Sequence, residues 1–141
     1  GKRMVIKAKD EVASRVFDEV ERLLKDVVGG KDDRFKYDEI LVKLVEEAVS
    51  GIGEREIVLA ANKRDREFLL KNLSRLEEHL SNDLGYDVKL LIANEALNCL
   101  GGVIAHDKER RKIYYNTLEG RLLKLRRTMK AKVIRELLGG A

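Results

Sequence analysis

The stretch GGVIAHDKERRKIYYNTLEGRL, residues 101–122, sets the architecture. Gly102 to His106 and Lys112 to Asn116 are short apolar and aromatic runs, and the polar Asp107-Lys108-Glu109-Arg110 separates them. That pattern reads as a β-hairpin. Asn116 stands three positions ahead of Glu119, the spacing of a capping box that satisfies backbone donors in the first turn of a helix. Behind it Leu118, Leu122, Leu125, Met129, Val133 and Leu137 form one helical stripe, and Gly139-Gly140 follow. Gly101 and Gly102 supply backbone freedom at the entry to the first strand.

On either side of this stretch, three more amphipathic helices emerge from apolar spacing. One follows Asp65, taken as its N-cap, and carries Leu69, Leu73, Leu76, Leu80 and Leu84 before Gly85 stops it. Another covers about Phe35 to Val49 with Tyr37, Ile40, Leu41, Leu44, Val45 and Ala48, until Ser50-Gly51-Ile52-Gly53 breaks the pattern. The first runs from about Met4 to Val28, where Gly29-Gly30 end it through a left-handed cap. Glu56 to Ala61 and Asp87 to Ile92 are strand candidates, and segment 93–100 reads as loop. The order predicts an α+β fold: a small mixed sheet of three to four strands packed with helices, preceded by a projecting N-terminal helix. The expected division is residues 1–28 as that helix and 29–141 as the compact part. The first helix carries Val5, Val12, Val16 and Val20 beyond what a small domain covers, so this stripe is expected to meet a partner.

Composition sets the class. Of 141 residues, 44% are apolar and 38% charged, with no Pro, Trp or Gln. This is the direction taken by proteins from hot environments, because desolvating ions costs less at high temperature. The single Cys99 excludes an internal disulfide and fits a reducing compartment. No apolar run approaches the roughly 20 residues of a membrane span. The net charge is only +4, but cations dominate from Lys108 to Arg135. Such a block suits nucleic acid or an acidic protein surface, and more often a solvated helix face.

Chemistry is sparse. Gly51-Ile52-Gly53 precedes a strand instead of following one and lacks a third glycine, so it is no dinucleotide fingerprint. Gly101-Gly102 is followed by no Gly-Lys-Ser/Thr, so it is no phosphate-binding loop. His79, Cys99 and His106 lack the spacing of a closed zinc site, and both histidines read as ordinary surface residues. Cys99, among Ala96, Leu97 and Leu100, reads as a small buried hydrophobe. Glu46-Glu47, Glu77-Glu78 and Asp32-Asp33 read as solvated carboxylates. No cofactor, metal or catalytic residue is expected. Arg121, Lys124, Arg127, Lys132 and Arg135 lie off the apolar stripe of the last helix. It lacks the interleaved aromatics of single-strand platforms.

The string Gly101-Gly102-Val103, a charged hairpin, and then Asn116-Thr117-Leu118-Glu119-Gly120-Arg121-Leu122 resembles the C-terminal signature of the E subunit of the archaeal A-type and vacuolar-type rotary ATPases. Asn62-Lys63-Arg64-Asp65-Arg66-Glu67 and Lys9-Asp10-Glu11-Val12 are similar to further segments of that family. The family's long N-terminal helix is represented only by its last turns, and Lys63 stands where the family often has Pro. The chain therefore reads as a C-terminal piece.

The resemblance implies a non-catalytic stator of the peripheral stalk on the cytoplasmic side of the membrane, attached through the complex with no direct insertion. It implies a second stalk subunit against the N-terminal helix and catalytic-head subunits against the compact part. It also implies that Gly101, Gly102, Asn116, Thr117, Leu118, Glu119, Arg121 and Leu122 determine the fold, with Asn116 and Glu119 capping the last helix. The alternative is a nucleic-acid-binding α+β module using that basic helix. Under the stator reading, nucleic acid binds at most weakly and non-specifically.

Overall fold

The structure, a computed structural model, describes residues 1–139; Gly140, which the sequence places after the last helix, lies outside them. The elements in chain order are α1 (Lys2–Val28), α2 (Tyr37–Ile52), β1 (Glu56–Ala61), α3 (Lys63–Lys71), α4 (Leu73–Leu84), β2 (Lys89–Ile92), β3 (Gly102–Asp107), β4 (Ile113–Thr117) and α5 (Leu118–Leu137). This is the α+β fold that the apolar periodicities predict. The sheet has four strands in the order β2-β1-β3-β4. It is mixed: β1 pairs with β2 in parallel, and β3 pairs antiparallel with both β1 and β4.

The sheet is covered on one side. Ile57, Leu59 and Ala61 of β1 and Val103 and Ala105 of β3 are buried, as period-two alternation requires of the packed face. Leu41, Leu44, Val45, Ala48 and Val49 of α2, with Leu69 of α3 and Leu76 and Leu80 of α4, close over them in one core. The other face keeps Val58, Ile104 and His106 half-buried and Tyr115 exposed.

Local expectations change at three of the predicted helices. Helix α2 runs through Gly51 to Ile52, because Ile52 is buried and the Tyr114 ring occupies the space a Cβ on Gly51 would need. Continuing the helix buries Ile52, and this offsets the roughly 0.5–1 kcal/mol a helical glycine costs; Gly53, in the left-handed region, ends it. The cap of α3 is Asn62, whose Oδ1 accepts the Asp65 N–H at 2.7 Å, so Asp65 sits inside the helix. Asn72 then splits the expected single helix into α3 and α4. At the end of α1 it is Gly30, and not Gly29, that turns left-handed.

Helix α1 does not project alone. It lies antiparallel along α5: Asp10 approaches Lys130 at 3.9 Å, and Arg126 donates to Ser14 Oγ at 2.8 Å. Phe17, 4% exposed, sits beneath the Arg126 guanidinium. At the base of the pair Val27 and Val28 of α1 join the main core.

Candidate interaction surface

The last strand and helix are locked to the body by polar contacts. Asn116 is buried in β4, and its Nδ2 donates to the Leu44 carbonyl of α2 at 2.8 Å. Its Oδ1 accepts from Arg121 Nη1 at 3.1 Å. The same guanidinium nitrogen reaches both carboxylate oxygens of Glu47 at 3.0 Å, and the Tyr114 hydroxyl donates to Glu47 at 3.1 Å. Burial works to raise the Glu47 pKa, but the Arg121 and Tyr114 hydrogen bonds outweigh it and hold the carboxyl below its ordinary value.

Asn116 is therefore not the helix cap that the sequence suggests. The cap is Thr117, whose Oγ1 accepts the Gly120 N–H at 3.1 Å. With the cap one residue later, Glu119 falls at the second helical position, and Gly120 takes the third, from which a capping-box glutamate reaches back. Glu119 instead accepts the Leu100 N–H at 2.6 Å, tying α5 to the loop before β3. Its other oxygen is buried without a hydrogen-bond partner among the described residues. Leu118 is buried and Leu122 half-buried.

A second polar knot lies beneath Gly101 and Gly102. The Tyr37 hydroxyl donates to Asp65, and the Gly102 N–H reaches Tyr37 Oη at 3.0 Å and Asp65 Oδ2 at 3.1 Å. Arg64 Nη1 binds the other Asp65 oxygen at 3.1 Å. Burial raises the Asp65 pKa, and hydrogen bonds from Tyr37, Gly102 and Arg64 pull it partly back. Burial, with the Asp65 carboxylate alongside, raises that of Tyr37. A Cβ on Gly101 would strike the Tyr37 hydroxyl; one on Gly102, at φ +90°, would strike the Asn116 carbonyl. The roles of Tyr37, Asp65 and Glu47 escape sequence reasoning because the Tyr37–Asp65 and Arg121–Glu47 contacts span 28 and 74 positions.

Helix α1 presents the predicted stripe unevenly. Val5, Val12 and Val16 are 45%, 58% and 52% exposed. They stand on α1 while Phe17 packs against α5. Val20 is half-buried in a groove that it shares with Leu24, Tyr115, Leu122 and Leu125. On α5, Arg121, Arg126 and Lys130 face Glu47, Ser14 and Asp10, so much of the basic block joins the helix to its own chain. Lys124, Arg127, Lys132 and Arg135 are exposed.

Nucleophilic chemistry has little support. Burial first, and then the Glu119 and Asp65 carboxylates, push the Cys99 thiol up to about 11, so it stays protonated and unreactive near neutrality. His106 sets its Nδ1 2.6 Å from the Asp107 carbonyl. No helix among the described residues is long and apolar enough to cross a membrane.

Comparison with known proteins gives this architecture a family. Residues 1–138 match the family described as ATP synthase (E/31 kDa) subunit. The A-type ATP synthase E subunit of Thermococcus sibiricus is 29% identical over 97% of this chain and 70% of its own length. The corresponding protein of Methanopyrus kandleri is 34% identical over 78% of this chain, and there the match spans about half (52%) of the relative. The V-type proton ATPase E subunit of Halothermothrix orenii is 25% identical over 83% of this chain and 57% of its own length. Matched along all but its last three residues, the chain belongs to the ATP synthase (E/31 kDa) subunit family, which holds the E subunits of the A-type and V-type ATPases.

Proposed function

We propose that the chain is a structural stator piece in the peripheral stalk of a proton-translocating A/V-type ATPase, tying the catalytic head to the membrane sector, resisting rotor torque and catalysing nothing. Membership of the E-subunit family supports the assembly. The observation that carries the mechanism is the stripe Val5, Val12 and Val16, left in solvent on a helix whose other side is covered by α5. A second helix laid on that stripe gains up to about 1.5–3 kcal/mol per fully buried apolar side chain.

In this reading residues 1–28 end the stalk helix and meet the second peripheral-stalk subunit. Residues 29–141 form the compact part that docks on catalytic-head subunits. The chain sits on the cytoplasmic side, held near the membrane through the complex without inserting into it. Torque demands a stiff route for load. Bending of the α1–α5 pair passes into α2 and the sheet through Arg121–Glu47 and Asn116–Leu44.

Replacing both Val12 and Val16 by Asp tests the proposal. Both positions are exposed, so the fold should survive by circular dichroism. Capture of the second stalk subunit of the same complex should be lost, while capture of head subunits persists. Undiminished capture of the stalk partner sinks the role of the stripe. ATP turnover by the purified chain sinks the non-catalytic reading.

A further inference from the structure

Helices α2 and α4 pack against each other, and three side chains able to bind a metal meet where they touch. Glu46 comes from α2; His79 and Asp83 come from α4, four positions apart and so on one face. His79 Nε2 lies 3.3 Å from Asp83 Oδ2 and 3.8 Å from Glu46 Oε2. One donor atom from each residue lies within 4.8 Å of the other two.

The His79–Asp83 separation is that of two donors on a shared cation, and Glu46, at 3.8 Å, has only to move slightly inward to join them. A charge-assisted hydrogen bond holds its heavy atoms about 2.7–2.9 Å apart. In a tetrahedral zinc site with bonds of about 2.0–2.2 Å, neighbouring donors stand about 3.3–3.6 Å apart. One imidazole nitrogen with two carboxylate oxygens is also a zinc donor set that leaves a fourth position for water, whereas magnesium and calcium favour oxygen alone. With neutral imidazole the site carries two negative charges, which a divalent cation cancels. The side chains are 50%, 34% and 44% exposed for His79, Glu46 and Asp83, so an ion reaches them from solvent.

We propose that Glu46, His79 and Asp83 form a zinc-binding site that clips α4 to α2. Bound ion stabilises the fold by mass action, since the unfolded chain does not bring Glu46 to His79 and Asp83.

The test is calorimetric titration of the chelator-treated chain with zinc chloride, paired with cobalt(II) chloride followed by visible absorption. The expected result is one equivalent of zinc bound at micromolar affinity, and an intense tetrahedral cobalt spectrum. Zinc should raise the melting temperature. His79→Ala and Asp83→Asn should each weaken binding by at least an order of magnitude and abolish the thermal shift, with the fold intact by circular dichroism. His106→Ala should leave binding unchanged. An absence of saturable zinc uptake overturns the proposal and leaves His79 as an ion-pairing residue. Uptake that survives His79→Ala, or is matched by magnesium chloride, overturns it equally.

Discussion

Asn116 donates its side-chain amide to the Leu44 carbonyl across 72 positions of sequence, at 2.8 Å, and so pins β4 to α2. The bond is buried, and the other end of the same amide receives Arg121. The residue that looks like a helix cap is a tie between layers, and the cap is its neighbour Thr117.

The two roles separate by mutation. Asn116→Ala removes a buried hydrogen bond and leaves Arg121 without one acceptor, at a cost of about 1–3 kcal/mol. Thr117→Ala removes an N-cap, at a cost of about 1 kcal/mol. Thermal unfolding of both variants should show the larger drop for Asn116. The reverse order would mean that the buried Asn116–Leu44 bond does little to hold β4 to α2.

Lys63→Pro should stabilise the chain. Lys63 is the first residue of α3, exposed, and ahead of the first intrahelical bond, which Arg66 N makes to the Asn62 carbonyl at 2.8 Å. Proline is favoured at that position because its ring pre-sets φ and no amide bond is lost. Asn62 is already extended at ψ 171°, as a residue before proline must be. The expected gain is about 0.4–1 kcal/mol through the unfolded state, read as a higher urea midpoint. A fall would show that the Lys63 N–H has a partner.

Gly102→Ala should destabilise strongly. At φ +90° an alanine is strained by about 1–3 kcal/mol. Its Cβ would also press on the Asn116 carbonyl that starts the α5 junction. Denaturant unfolding checks this, and a change below about 0.5 kcal/mol, the size of an ordinary surface substitution, would be incompatible with the close approach of β3 to β4.

Acid should loosen the α5 anchorage through Glu47. Its folded pKa lies below the ordinary value, so its contribution is fully present above the unfolded carboxylate pKa of about 4.3 and is lost as pH falls through the folded value. Asp65 has the opposite sign: its raised pKa means that the ionised form costs the fold something, and that cost is relieved on protonation. Glu47→Gln should therefore flatten the loss of stability below about pH 4.3. Melting curves at neutral and acid pH compare the slopes; an unchanged slope would mean that the Arg121–Glu47 contact does not persist in solution.

The elements and the family are legible in the residues alone. Apolar residues at helical spacing, two strand runs around a polar turn, and the Gly101–Leu122 string are all local patterns, and local geometry suffices to decode them. What the polar residues do emerges only once the chain is packed. Whether Asn116 caps a helix or bonds Leu44, whether Asp65 caps a helix or lies buried under Tyr37, and whether Gly51 breaks α2 or admits the Tyr114 ring depends on partners far along the chain. The pairing of α1 with α5 is of the same kind. An apolar stripe shows that a helix has a face to bury, but it does not say against what, because hydrophobic attraction is non-directional and takes its partner from the packing of the whole.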